Sequence, residues 1–392
     1  MTKRALRDLP AAALDGKRAL VRVDFNVPLK DGRVTDDTRI RAALPTIQYL
    51  RGKGARVVLL SHLGRPQSPD PSASLTLVQR DLERLLGAPV AFIPDPAAGV
   101  ATSRRLPRGG VALVENTRYW PGEERNDPDL AQTFAALGDF YVNDAFGAAH
   151  RAHASTDAVA RLLRPAVAGF LMEKELRYLG DALAAPQRPF VAVLGGAKIS
   201  GKIDVIEALL PRVDTVLVGG AMACTFFAAL EFSTGTSLVE PDRVDLARAL
   251  LGRAGPKLAL PRDVIVAPAL ERAVERREVA SDAIPDGWAV YDIAGATRAA
   301  FTARIVAAKT VVWNGPMGVF ETPPFDAGTR AVADALVEAA RCGAVTVVGG
   351  GDSAAAVARV ADRLTHVSTG GGAALEYLQG TPLPGVAALE DV

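Results

Sequence analysis

Residues 169–189 read GFLMEKELRYLGDALAAPQRP, and the reading of this stretch decides the fold. Met172, Leu176, Leu179 and Leu183 recur at helical spacing, with Glu173, Lys174, Glu175 and Arg177 on the other positions. That pattern is an amphipathic helix of about three to four turns. Pro186 and Pro189 stop it. The chain differs on its two sides. Three of the four histidines and several loop arginines come before it, with one glycine doublet, Gly109-Gly110. Four glycine clusters come after it: Gly195-Gly196, Gly219-Gly220, Gly349-Gly350-Gly351 and Gly370-Gly371-Gly372. Two lobes joined by a central helix account for both facts, one lobe presenting cationic loops and the other backbone amides. The length of 392 residues asks for the same division, because a single core rarely grows past roughly 250–300 residues. The expected bounds are 1–168 for the first lobe, 169–186 for the connecting helix and 187–377 for the second.

Composition narrows the class. Hydrophobic residues make up 49% and charged residues 23%, as in ordinary globular proteins. A formal net charge of +1 argues against a nucleic-acid surface, so any cationic site is local. Cys224 and Cys342 each sit in an apolar helical pattern, which predicts buried, reduced thiols. No apolar run approaches the ~18–20 residues of a membrane span. The N-terminus has no signal-peptide core. A cytoplasmic protein with neither a membrane nor a nucleic-acid partner is expected.

Outward from the helix, strands and helices alternate. On the N-terminal side, solidly apolar strands are predicted at 18–23, 56–62, 90–93, 111–115 and 140–143, with helices near 38–51, 75–86 and 128–137. On the C-terminal side strands are predicted at 190–196, 215–220, 263–267, 288–294, 310–316, 344–349 and 366–368. Helices are predicted at 221–230, 242–253, 296–308, 326–340, 353–363 and from about 373, and 380–386 is read as extended. Such alternation means two Rossmann-like α/β lobes, each a parallel sheet with helices on both faces.

Ligands of parallel sheets bind beyond the C-terminal strand ends. In the first lobe those ends carry Asp24, Asn26, His62, Arg65, Arg118, His150 and Arg151. Guanidinium groups bind oxyanions bidentately, so arginines recurring on one rim favour a small anion over four unrelated solvated loops. His150 and His153 have a metal-pair spacing but no recognisable further ligands.

In the second lobe three glycine turns compete for familiar labels. Residues 196–202, GAKISGK, match seven positions of a Walker A loop, but Ile203 stands where a Ser or Thr would hold Mg²⁺. Lys198 and Lys202 are then either phosphate ligands beside a helix N-terminus or two exposed lysines. Gly349-Gly350-Gly351-Asp352-Ser353-Ala354 fits a dinucleotide fingerprint, yet the next strand ends in Thr369-Gly370 with no acid for a ribose. Asp352 can hold Mg²⁺ beside phosphates or cap a helix. The turn 369–372 offers further amides. Three such turns favour a polyphosphate nucleotide over NAD. A nucleotide on one lobe and an anion on the other describe phosphoryl transfer, and a carboxylate acceptor would need no general base.

Seven stretches then stand in a familiar order: VRVDFNVP (21–28), SHLGRP (61–66), ENTRY (115–119), DAFGAAHRAHAS (144–155), VWNGPMGVFE (312–321), GGGDSAAA (349–356) and STGGGA (368–373). Together they span nearly the whole chain, which closely resembles phosphoglycerate kinase. The resemblance implies reversible phosphoryl transfer between MgATP and the carboxylate of 3-phosphoglycerate in glycolysis, with domain closure and a monomeric enzyme. It implies that residues 378–392 return to complete the first lobe. It places 3-phosphoglycerate on Asp24, Phe25, Asn26, Arg39, His62, Leu63, Gly64, Arg65, Arg118 and Arg151. It places ATP or ADP on Lys198, Lys202, Gly219, Gly220, Asn314, Glu321, Gly350, Gly351, Asp352 and Ser353, with Asp352 on Mg²⁺. Arg39, Lys202, Gly371 and Gly372 would meet the transferring phosphoryl. Three places depart from the family pattern: Gly201 replaces an Asp, Ala221 a Gly, and Ala294-Gly295 a Gly-Pro. None removes a catalytic charge. A dinucleotide-linked dehydrogenase and a non-enzymatic anion-binding protein are the rivals. The first lacks its ribose acid, and the second needs no triple phosphate turn.

Overall fold

The computed structural model describes residues 3–392, and the side chains of all of these but 181–184 and 272–273. The chain divides into two compact units, Met1–Arg177 with Pro382–Val392, and Tyr178–Thr381.

The first unit is built on six parallel strands: β1 (Arg18–Arg22), β2 (Arg56–Leu60), β3 (Val90–Ile93), β4 (Val111–Val114), β5 (Phe140–Asn143) and β6 (Ala166–Ala168). Their order is β3-β4-β2-β1-β5-β6. Nearly every residue of β1, β2, β4 and β5 is buried, as expected of a parallel sheet covered on both faces. Val21, Leu59 and Val142 join Ile40 and Ile47 of the helix Thr38–Gly52 and Val78 and Leu82 of the helix Thr76–Leu86 in one core. From β1 the chain steps one way to β2 and later returns to the other side as β5. The crevice beyond β1 and β5 is therefore a topological switch point, where such sheets bind ligands.

Residues 382–392 complete this unit. Gly385 N donates to Ala149 O at 2.9 Å, Asn143 Nδ2 donates to Gly385 O at 3.0 Å, and Glu390 N donates to Ala166 O at 2.9 Å. Residues 380–386 were expected to be extended, but Pro384–Ala387 forms a helical turn with Pro384 at its first position. Pro pre-sets φ there and its missing N–H goes unneeded.

The second unit has its own parallel sheet: β7 (Phe190–Leu194), β8 (Thr215–Val218), β9 (Leu258–Ala259), then β13 (Thr310–Asn314), β14 (Val345–Gly349) and β15 (His366–Val367), in the order β9-β8-β7-β13-β14-β15. Its switch point lies between β7 and β13. Trp313, Val193 and Val348 pack with Leu336, Ile305 and Phe301. Three further strands, β10 (Asp263–Ala267), β11 (Arg277–Ala280) and β12 (Ala289–Ile293), form a separate antiparallel sheet in the order β11-β10-β12. This corrects the expectation that 263–267 and 288–294 belong to the parallel sheet. The strand that reveals it, Arg277–Ala280, is mostly exposed and carries too little apolar signal to be read from sequence. The helix expected at 353–363 is also shorter. Gly351–Ala356 is α-helical, and a 3-10 turn follows at Ala361–Arg363.

The helix Phe170–Ala184 forms as expected. Met172 and Leu179 are buried, and Leu183 lies outside the described side chains. Glu175, read as a solvent-facing position, is fully buried. It lies three residues from Met172 and four from Leu179, on the same helix face. Cys224 is buried, but Cys342 is exposed, because it caps the C-terminus of the helix Ala327–Arg341 rather than continuing its apolar stripe.

Candidate active site

In the first unit the strand ends bring the cationic loops together. Arg22, the last residue of β1, is 1% exposed. Its Nε donates to Ser155 Oγ at 2.8 Å, one Nη to Val23 O at 2.5 Å, and the other contacts His62 Nδ1 at 3.2 Å. Ser155 is held in turn by buried Glu123, which accepts from its amide at 3.0 Å and its hydroxyl at 2.5 Å. Sequence reasoning assigned no role to Arg22, Ser155, Glu123 or Asn116. The signal for Arg22 was a lone charge inside an apolar strand.

Two residues after Arg22, Asp24 forms an ion pair with Arg39. Burial pushes its carboxyl up, but Arg39, His62, Arg22 and the Asn26 amide more than offset this and hold it below the usual range. His62 goes the other way. Burial, reinforced by Arg22, Arg118 and Arg39 against Asp24, lowers it to about 3. The ring is neutral, and with Nδ1 accepting from Arg22 its proton sits on Nε2, as a donor.

The loops are fixed from below. Asn116 is fully buried. Its Oδ1 accepts from the Leu63 and Arg118 amides at 3.2 Å each, and its Nδ2 donates to Leu63 O at 2.7 Å and Ala73 O at 2.8 Å. Asn26 Oδ1 accepts from the Gly64 amide at 2.8 Å. Phe25 and Leu63 point into the core, so only their backbone can face a ligand. Arg65 is exposed and Arg151 half-buried. Burial lowers the Arg118 guanidinium, and Arg151, Arg22 and Arg65 lower it further against Glu124. These arginines therefore sit in one another's field, and an anion would relieve it. His150 and His153 part company: His150 Nε2 accepts from Arg151 Nε at 3.1 Å, while burial drives His153 down to about 3.

In the second unit a cavity of about 350 Å³ opens beyond the ends of β7, β13 and β14. Lys198, Lys202, Asn314, Gly350, Gly351, Asp352, Ser353, Gly371 and Gly372 line it. Two helices, Gly351–Ala356 and Gly372–Leu378, begin at its wall. Burial lowers Lys202 to about 8, against the pull of Asp352. Its Nζ donates to Asn314 Oδ1. Gly350 has φ +95°, and a Cβ there would lie 2.8 Å from Asn314 Nδ2, so this position requires glycine. Ser353 Oγ accepts from the Gly315 amide at 2.6 Å. Asp352 lies inside the first helical turn, with Gly350 at the cap, so capping is not its role.

Gly219, Gly220 and Glu321 do not line this cavity. Gly220 packs on the backbone of Gly196 and Pro316, and Glu321 is exposed. Of the departures, Gly201 has open space where a Cβ would go, Ala221 starts the helix Met222–Ala229, and Ala294 is buried at the start of Gly295–Ala307. Among the described residues no group of three or more His, Cys, Asp or Glu could hold a metal ion. Asp352 is an acid in the cavity lining, and it could hold an Mg²⁺ bound largely through nucleotide phosphates.

A family model for phosphoglycerate kinase matches residues 7–381. The chain belongs to the phosphoglycerate kinase family. It is 58% identical over 403 residues to the phosphoglycerate kinase of Chloroflexus aurantiacus, covering 100% of both chains. It is 52% identical to the cytosolic phosphoglycerate kinase 3 of Arabidopsis thaliana, covering 100% of this chain and 99% of that one. Two solved phosphoglycerate kinases are similar in structure. That from Coxiella burnetii has a TM-score of 0.89 at 41% identity, with 98% of each chain covered. That from Pyrococcus horikoshii has a TM-score of 0.86 at 33% identity, covering 99% of this chain and 98% of the other. As a phosphoglycerate kinase family member the chain is a phosphotransferase of glycolysis, with MgATP or MgADP as co-substrate. No described helix is long and apolar enough to cross a membrane.

Proposed function

We propose that this chain transfers a phosphoryl group reversibly between MgATP and the carboxylate of 3-phosphoglycerate, giving 1,3-bisphosphoglycerate and ADP. The observation that carries the acceptor half is the gathering of Arg22, Arg39, Arg65, Arg118 and Arg151 at one switch point: Arg22, Arg39 and Arg118 all act on buried His62, and Arg151, Arg22 and Arg65 add to the burial that lowers Arg118. Asp24 and neutral His62 add an acceptor and a donor for the hydroxyl and carboxylate of a hydroxy acid. Arg39 and Lys202 are assigned to the transferring group, with the amides at Gly371 and Gly372. The cavity lined by Lys198, Asn314, Gly350, Gly351, Asp352 and Ser353 is assigned to the nucleotide phosphates. Gly219, Gly220 and Glu321 are assigned to its nucleoside end.

Lys202 and the amides at the helix starts line the cavity, and in this reading they would neutralise the equatorial charge of the phosphoryl group, which is the main catalytic demand of such a transfer. A carboxylate acceptor is ionised at neutral pH, so no base is required. In-line transfer requires the two ligands to meet, and closure of the units on them is part of the proposal, as are a monomeric state and a cytoplasmic location.

The test is a coupled assay of the purified protein with MgATP and 3-phosphoglycerate beside Arg39→Ala. Turnover in the wild type, lost in the variant, is expected. Binding of both ligands without turnover would overturn the reading. Scattering profiles with and without both substrates test closure.

A further inference from the structure

The loop 196–202 carries both lysines of the nucleotide cavity and has little support of its own. Gly196 has φ +110°, and Gly201 has open space around it. Ile199 is the internal peg, fully buried and accepting from the Lys202 amide at 2.8 Å. Gly196 is tied at the loop's start, its amide donating to Pro316 O at 2.9 Å and its carbonyl accepting from the Met222 amide at 3.0 Å, and Lys202 Nζ reaches Asn314 at its end. The middle of the loop is gripped from forty residues away. Ser200 N donates to Glu240 Oε2 at 3.0 Å, and Ser200 Oγ donates to Glu240 Oε1 at 2.5 Å. One residue thus supplies two donors to the two oxygens of one carboxylate, which fixes orientation as well as distance.

Glu240 is itself placed. Its amide donates at 3.2 Å to Oγ1 of Thr225, which is buried in the helix Met222–Ala229, and Pro241 follows it. Burial pushes the Glu240 carboxyl up, but the Ser200 hydroxyl and amide, the Ile199 amide and Lys198 hold it below its usual range, so it is an anion at neutral pH. Lys198, Gly201 and Lys202 line the cavity, whereas Glu240 and Ser200 do not. The carboxylate grips the loop from behind.

We infer that Glu240 is a positioning residue for the nucleotide site: through Ser200 it holds the 196–202 loop so that Lys198 and Lys202 stand ready for phosphates before a nucleotide arrives. A loop ordered in advance need not be ordered at binding, so affinity rises without a new ligand contact. This rests on the reading of the cavity as a nucleotide site, but not on the identity of the acceptor.

The experiment compares Glu240→Ala, Ser200→Ala, the double variant and Ser200→Thr with the wild type. Calorimetric MgADP affinity, kcat, both KM values and the melting temperature are measured. Each Ala variant is expected to weaken MgADP binding roughly three- to tenfold, the size of one partly exposed charge-assisted hydrogen bond. kcat should fall while KM for 3-phosphoglycerate stays unchanged. Glu240→Ala, which removes both bonds, should weaken binding more than Ser200→Ala, which keeps the amide bond. The double variant should be no worse than Glu240→Ala, because the hydroxyl bond is already lost there, and Ser200→Thr, which keeps the hydroxyl, should retain affinity. Wild-type MgADP affinity in Glu240→Ala would overturn the inference. So would additive losses, or a fall in melting temperature with both KM values moving together. A wild type that binds MgADP but does not turn over 3-phosphoglycerate would sink the proposed reaction, and the MgADP comparison would still decide the role of Glu240.

Discussion

Lys202 Nζ donates to Asn314 Oδ1, and Asn314 Nδ2 in turn donates to Gly349 O at 2.7 Å. The amide is thus oriented by the turn that opens the helix Gly351–Ala356, and it aims the ammonium group into the cavity. Replacing Lys202 with Ala is expected to lower kcat by about 10²–10³-fold, as for the loss of a donor to developing charge, with 3-phosphoglycerate affinity retained. Steady-state kinetics beside binding measurements check this.

The same lysine sets an alkaline limit. Burial lowers it to about 8, so in the free enzyme the charged form is lost as pH rises through that value. kcat/KM for MgATP is expected to fall above about pH 8, while kcat holds to higher pH because bound phosphates favour the ammonium form. The stability sign follows from linkage. The folded state holds fewer protons than the unfolded one between about 8 and the ordinary 10.5, so this group's contribution to stability rises with pH across that window.

Arg39→Ala removes the ion-pair partner of Asp24. A carboxylate whose folded pKa is depressed contributes stability above its ordinary range and loses it as pH falls through the folded value. Without Arg39 the Asp24 value rises, so acid unfolding is expected to begin at higher pH in the variant. Turnover should fall by about 10²-fold or more, as for a lost charge clamp. Circular dichroism against pH, with the coupled assay, reads both.

Asp144 secures the connecting helix. Its Oδ1 accepts from the Leu171 amide at 2.8 Å and the Met172 amide at 3.2 Å, and burial lifts it to about 6 against those donors and Thr46. Asp144→Ala should cost about 1–3 kcal/mol through the orphaned amides. Asp144→Asn keeps an acceptor and should cost less at pH 8. Because the folded value is raised, wild-type stability gains as pH falls from about 6 toward the ordinary 3.8, and the Asn variant should lack that gain. Urea titrations at pH 8 and 5 separate the three proteins.

Gly350→Ala would force a side chain onto φ +95° and against Asn314 Nδ2. A stability loss of about 1–3 kcal/mol and a much larger loss of MgADP affinity are expected, with 3-phosphoglycerate binding intact. Calorimetry with each ligand alone tests this.

The sequence announced the rims because their chemistry is local. Asp24, His62 and Arg118 each stand within four residues of the end of an apolar strand, and Arg151 stands in the loop that follows Phe140–Asn143, so strand ends and charges could be read together. What could not be read depends on partners distant in sequence. Arg22 looks like an interruption of β1 until Ser155 and Glu123 are placed beneath it. Asp144 looks like a rim acid, yet it turns to the helix at Leu171. Glu175 seemed solvated because its neighbours are charged, although its face of the helix is the buried one. The antiparallel sheet was missed because one of its three strands, Arg277–Ala280, is mostly exposed and without alternation.

The backbone bonds of Gly385 to Ala149 and of Glu390 to Ala166 also bear on biosynthesis. Translation delivers residues N-terminal first, so residues 1–177 leave the ribosome with one seam still open. They wait while the whole of Tyr178–Thr381 is synthesised, and only then does the segment Pro382–Val392 arrive to close it. The unit that is translated first is the one finished last, and a ribosome stalled anywhere in the second half leaves it without its final piece.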